Sequence, residues 1–246
     1  MTNKKPKFLI GIDEAGRGPL AGPVAVGAFC VPVSFDFSVL DGVRDSKKLF
    51  PQKREFYFAK IIKLTNSYLS SPRRRGSRLE SKKVDFAVSF SSAKEIDKIG
   101  INKAIKKAME KCLKKLGKNP TDCRVLLDGG LRAPEKYKNQ QTIIKGDDKE
   151  KVISCASVTA KVLRDRKMCQ LAKKYPKYCF EIHKGYGTAK HYEKLKKYGL
   201  CKEHRRCFLK NFLSLRATRS NLQIRTGLLR QKLPRKDVEK GILQKN

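Results

Sequence analysis

The 246-residue sequence contains no tryptophan, only three methionines and only three histidines. His183, His191 and His204 are scattered along the chain without ligand spacing, so they make no metal motif and are left out of the chemistry. Eight cysteines occur, at 30, 112, 123, 155, 169, 179, 201 and 207, but none stands in a CxxC pair, which removes the usual support for a zinc site. Several fall among apolar residues, where a reduced thiol behaves as a small hydrophobe. No uninterrupted apolar run approaches the roughly 18 residues of a membrane-spanning helix. The opening stretch, MTNKKPKFLIGID, carries acids too soon for a secretory signal, so a cytoplasmic location is expected.

Acidic residues are also few: 23 Asp and Glu stand against 58 Lys and Arg, a formal net charge of +35. Solubility needs far less, so the charge points to a polyanionic partner, nucleic acid before a membrane. At roughly 150 residues per domain, the length fits one domain with an appendage, expected as a monomer.

Residues 8–12 and 23–32 (PVAVGAFCVP) read as strands joined by the glycine-rich loop EAGRGPLAG into a hairpin. Pro51 opens a helix over 51–64. A second helix is expected from Asn102, its cap, to Gly117, its stop, with Ala104, Ile105, Ala108, Met109, Cys112, Leu113 and Leu116 forming a core face. CRVLLDGG reads as a strand ending at Asp128, and QTIIKGDD as a shorter one ending near Asp147. Residues 151–175 and 188–199 are helical, the latter with a threonine cap and a glycine stop. These divisions suggest a main domain over 1–175, a helical extension over 176–215 and a basic tail over 216–246. The segment SSPRRRGSRLESKK, 70–83, reads as a surface loop or as a nucleic-acid-binding arm.

If the strands ending at Asp13, Asp128 and Asp147 share a sheet, their carboxylates can converge. Such acids repel one another unless a divalent cation neutralises them, and an all-oxygen set favours Mg²⁺ or Mn²⁺ over zinc. A basic surface that holds a phosphate backbone, with acids that hold metals, suits phosphodiester hydrolysis. A non-catalytic basic nucleic-acid-binding protein is the alternative; it explains the charge but not the ordered acids. Asp13 and Glu14 pose a geometric difficulty, because neighbours on a strand point to opposite faces. For both to share one site the backbone must bend directly after Asp13, and Gly16 and Gly18 permit a bend.

With GIDEAGRGPLAGPVAVGA, DSKKL, LLDGG, KGDDK, SVTAKVLRDR, HKGYGT and EHRRCF in that order, the chain resembles ribonuclease HII over about residues 8–208. The resemblance implies an α/β ribonuclease H-like fold, with a central mixed β-sheet flanked by helices and a small helical C-terminal extension. It implies an endoribonuclease that hydrolyses RNA in RNA–DNA duplexes and incises 5′ to ribonucleotides embedded in DNA by a two-metal-ion mechanism. The four catalytic acids would be Asp13, Glu14, Asp128 and Asp147, with Asp13, Glu14 and Asp128 among the ligands of Mn²⁺ or Mg²⁺. Asp148 is the rival for the fourth place, while Asp165 is expected in a helical salt bridge with a nearby arginine. Gly16, Arg17 and Gly18 would read the ribose 2′-hydroxyl by main-chain approach. Tyr186 would stack on the sugar of the following deoxynucleotide, and Lys47, helped by Ser46, would contact phosphate. The chain departs from the pattern at Cys155, Cys207 and Gly130, and more broadly over 70–83 and beyond 212.

Overall fold

The computed structural model describes residues 5–43, 46, 49–67, 84–212 and 214. Lys47, the segment 70–83 and the tail 216–246 lie outside the described residues. The chain divides into two compact units, 1–205 and 206–246, and the second opens with a single 3-10 turn, Arg206–Phe208.

The first unit is built on a five-stranded sheet in the order β3-β2-β1-β4-β5. β1 (Phe8–Ala15) and β2 (Val24–Pro32) form the expected hairpin, and β3 (Asp85–Ser91) extends it antiparallel to β2. On the other side of β1, β4 (Cys123–Asp128) and β5 (Gln140–Ile143) run parallel to it. The sheet is therefore mixed, as expected, and the carboxyl ends of β1 and β4 lie side by side. Helices α1 (Pro51–Ser67), α2 (Ala93–Ile99) and α3 (Ile101–Leu116) come before β4, whereas α4 (Gly146–Lys149), α5 (Lys151–Lys174), α6 (Phe180–His183) and α7 (Ala189–Tyr198) follow β5.

α5 lies directly on the backbone of β1 and β2. A Cβ added at Gly11 would stand 2.2 Å from the Val152 carbonyl oxygen, and one at Gly27 would stand 2.4 Å from that of Ala156. The facing side of α5 is correspondingly small, with Ser154, Cys155, Ala156, Ser157 and Ala160 all buried. Around this seat Phe29, Val31, Leu40, Phe58 and Ile61 form a dry core with Val158 and Val162. α3 covers the opposite face, burying the seven residues read from its sequence, and closes on Gly117 in the left-handed region.

Three boundaries differ from expectation. Gly100, at φ 80°, takes the cap position before α3, which frees Asn102 to meet Arg17 instead. β5 stops at Ile143 because Lys145 adopts a left-handed φ of 55°, so Asp147 rides on the one-turn α4 and not on a strand. β1 continues in register to Ala15, and the chain leaves the ladder only at Gly16, with φ 88°. The sequence reading also passed over β3 and α2. Of the eight cysteines all are free thiols, and four, Cys30, Cys112, Cys123 and Cys155, are buried.

The close seat of α5 predicts that Gly27→Ala destabilises the protein by about 1–3 kcal/mol, because backbone must move to admit one methyl. Gly130→Ala, where nothing lies within 4 Å, should shift stability by no more than about 0.5 kcal/mol. Urea denaturation of the two variants checks the contrast.

Candidate active site

Asp13 and Asp128 reach the same edge of the sheet because β1 and β4 are parallel neighbours. Asp147 arrives from α4, whose position is fixed by two hydrogen bonds. The Gly146 N–H donates to Asp128 Oδ1 at 2.7 Å, and the Ser154 hydroxyl donates to the Asp147 carbonyl at 2.7 Å. The three carboxylates each place an oxygen so that all lie within 4.8 Å of one another. Asp147 is buried and Asp148 is exposed, so the geometry brings the former into the group.

Asp13 is the most enclosed of the three, at 2% exposure. Its Oδ1 accepts the Glu14 N–H at 2.7 Å, while its Oδ2 is buried without a hydrogen-bond partner. Burial, then the charge of Glu14 and that of Asp128, pushes the Asp13 carboxyl up to about 8; the Ser157 hydroxyl and the Glu14 amide act in the other direction. A buried oxygen without a donor, beside two further carboxylates, fits a hard divalent cation. Asp13, Asp128 and Asp147 would hold it.

Glu14 lies outside this triad. Its cross-strand partner is Val26, whereas Asp13 faces Gly27 on the α5 side, so alternation sends Glu14 to the α3 face. There the Arg17 Nη1 approaches its Oε1 at 3.4 Å, and Arg17 Nη2 donates to the Asn102 side chain at 2.7 Å. The bend expected directly after Asp13 comes two residues later, because the antiparallel ladder to β2 persists through Ala15. Glu14 stays close enough for its charge to act on Asp13.

The glycine loop is held from behind by two buried arginines that the sequence reading did not single out. Arg205 donates to the carbonyls of Gly16 at 2.7 Å, Arg17 at 2.9 Å and Gly22 at 3.0 Å. Arg164 donates to Pro23 at 3.0 Å and to Lys184 at 3.1 Å. A Cβ at Gly16 would meet Arg164 Nε at 1.8 Å, so glycine is required there for both φ and space, while Gly18 faces open space. With loop carbonyls drawn inward to the guanidinium groups, the outer surface is left for a ligand. The only prior signal for Arg164 was an arginine among apolar and small residues of a helix, and for Arg205 the HRR triplet.

Tyr186 stands on the adjoining turn, 43% exposed, with its ring 5.8 Å from the Arg164 guanidinium. The turn is joined to the segment after the glycine loop, since Gly185 O accepts the N–H groups of Leu20 at 2.8 Å and Ala21 at 3.3 Å. Ser46 is buried, its hydroxyl 2.8 Å from that of Ser157, and its carbonyl accepts Arg54 at 2.8 Å. Asp165 pairs with Lys161 at 2.8 Å and more loosely with Arg54 at 3.9 Å, a structural role. The histidines, scattered in sequence, are brought together in one buried stack beside the Tyr186 turn.

Comparison with known proteins agrees with this arrangement. The family model for ribonuclease HII matches residues 10–213. A ribonuclease HII of Caldicellulosiruptor bescii is 44% identical over 216 residues, covering 87% of this chain and 93% of that one. One of Fusobacterium nucleatum is 42% identical over 210 residues, covering 84% and 88%. The crystal structure of ribonuclease H2 from Pyrococcus horikoshii superposes with a TM-score of 0.58 at 26% identity, covering 81% of this chain and 93% of that one. The chain thus belongs to the ribonuclease HII family of metal-dependent ribonucleases.

Proposed function

We propose that the protein is an endonuclease that cuts RNA–DNA duplexes 5′ to ribonucleotides, including single ones embedded in DNA, and leaves 3′-hydroxyl and 5′-phosphate ends. The observation that carries this reading is the convergence of Asp13, Asp128 and Asp147, one with an unpartnered buried oxygen, beside a glycine loop on a chain of net charge +35. Its role would be to remove misincorporated ribonucleotides and RNA primers, acting as a cytoplasmic monomer.

Asp13, Asp128 and Asp147 would hold the cations, with Glu14 adding charge from the neighbouring strand position. Two Mn²⁺ or Mg²⁺ ions, when bound there, would supply the charge that activates water and stabilises a departing 3′-oxygen. Gly16, Arg17 and Gly18 bring main chain against the ribose, where a 2′-hydroxyl distinguishes RNA from DNA. Tyr186, fixed on the adjoining turn, offers its ring to the next sugar. Ser46, buried beside Ser157, and Lys47, next to it in sequence, would meet the phosphate. Arg17, paired with Glu14 and Asn102, lies near the acids.

The decisive assay compares a DNA duplex carrying one ribonucleotide, an RNA–DNA hybrid and plain DNA, each with Mn²⁺ or Mg²⁺. Cutting at ribose-containing sites alone is expected, whereas binding without cutting under either metal would establish the basic binding protein. Asp13→Asn should lower cleavage by at least about a thousandfold while duplex binding persists, since it removes a metal ligand but no phosphate contact.

The raised Asp13 carboxyl also links stability to pH. Its folded value of about 8 exceeds the unfolded 3.8, so its contribution is full below about 4 and disappears as pH rises through about 8. In EDTA, Asp13→Asn should therefore gain in Tm relative to the parent as pH goes from 4 to 8. Mn²⁺ should raise the parent's Tm at pH 8 and raise that of the variant much less. Differential scanning calorimetry reads both effects.

A further inference from the structure

All three histidines of the chain lie in one buried stack beneath the Tyr186 turn. The rings of His183 and His191 stack at 4.2 Å and 17°, and the Nε2 atoms of His191 and His204 are 3.1 Å apart. Phe180 packs against all three rings, and Tyr178 closes on His204.

The surrounding hydrogen bonds allow one neutral arrangement of protons through the pair. The Tyr186 carbonyl can only accept, so His191 carries its proton on Nδ1, 2.9 Å away, and its Nε2 accepts from His204 Nε2. His204 Nδ1 then accepts the Cys201 N–H at 2.9 Å, with the Cys201 carbonyl at 3.3 Å. His183 is fixed separately: it accepts the Gly185 N–H on Nδ1 at 3.2 Å and donates from Nε2 to the Tyr178 carbonyl at 2.8 Å. A proton added to His191 would set two N–H groups against each other across 3.1 Å, whereas one added to His204 would land on Nδ1, against the Cys201 N–H at 2.9 Å and with the Cys201 carbonyl at 3.3 Å.

The two ends of this relay belong to the two substrate-reading surfaces. One end is the carbonyl of Tyr186. The other is the segment around His204, which bridges to Ala21, while Glu203 O accepts Gly22 N–H at 2.8 Å and Arg205 N–H donates to Leu20 O at 2.8 Å. Arg205 in turn grips the carbonyls of Gly16 and Arg17. We propose that His191 and His204 are positioning residues for substrate recognition: as a neutral, proton-ordered pair they lock the Tyr186 turn to the segment that holds the glycine loop. Acid releases the lock. The inference rests on the reading of Tyr186 and the glycine loop as substrate contacts.

Burial dominates the electrostatics and depresses both histidines to about 4, with each neighbouring histidine adding to the effect. The charged side chains acting on the stack are Glu181 and Lys190, both through His183. Since each folded value lies below the usual 6.5, the locked state is favoured fully above about 6.5 and loses its advantage as pH falls toward 4.

Two measurements on the full chain test this. Long-range ¹H–¹⁵N spectra should show His191 protonated at Nδ1 and His204 at Nε2, both neutral at pH 5.5. Reversed tautomers, or titration near 6.5 in the folded protein, would overturn the proposal whether or not the protein cuts nucleic acid. In cleavage of a duplex with one ribonucleotide, His191→Ala should raise KM about tenfold and leave kcat within about twofold, as expected for lost positioning and not lost chemistry. His204→Gln keeps a donor toward His191, so it should match the parent's KM at pH 7. An unchanged KM in folded His191→Ala, or a KM raised about tenfold in folded His204→Gln at pH 7, rejects the lock. Absence of cleavage by the parent protein would instead reject the proposed function, and the spectra would still decide on the relay.

Discussion

The structure depends on how closely α5 can approach the sheet. Gly11 and Gly27 leave the backbone of β1 and β2 bare, and α5 settles onto it with serines, alanines and a buried thiol. That seat sets the rest of the site at its proper height. Ser154, in the first turn, holds the carbonyl of Asp147; Ser157, one turn on, stands near Asp13 and meets Ser46. Arg164, two turns further, grips the chain leaving the glycine loop and the turn of Tyr186. One helix therefore indexes the acids, the glycine loop and the aromatic platform against a single ruler, and a displacement of about an ångström at the glycines would be felt at all three.

The second constraint is electrostatic. A chain of net charge +35 favours association with a phosphate backbone. The acids supply the discrimination. Three carboxyl groups lie within 4.8 Å of one another, and burial and its neighbours push one of them, Asp13, toward its neutral form, a cost that a bound cation would remove.

Much of this was legible in the sequence, and the parts that were not have identifiable reasons. Periodicity found the core face of α3 residue by residue, because seven apolar side chains fall on one stripe and Gly117 ends it. The strands carrying Asp13 and Asp128 were equally plain. Asp147 was placed on a strand because the apolar run of β5 leads to it, and nothing local revealed that Lys145 would adopt a left-handed turn. Asn102 looked like a cap until Gly100 took the place and left its side chain for Arg17. Arg164 and Arg205 were hidden because their partners are carbonyl oxygens 20 to 189 residues away; the histidine stack, though its hydrogen-bond partners lie within 13 residues, has no regular spacing to mark it.

The adjacent acids at 13 and 14 show how a strand divides labour. Alternation is unavoidable while the ladder to β2 continues, so one carboxylate must face α5 and the other α3. Asp13, on the α5 side, meets Asp128 and Asp147 and is buried with them; Glu14, on the α3 side, meets Arg17, the side chain of the loop that would inspect the sugar. The Glu14 amide nonetheless donates to Asp13, and the Glu14 charge helps to raise the Asp13 carboxyl. A change in how Arg17 engages a ligand would alter the charge balance at Glu14 and so reach Asp13 through a single peptide unit. Arg17, Glu14 and Asp13 are thus linked by the shortest covalent path a protein offers, two consecutive residues on opposite faces of one strand.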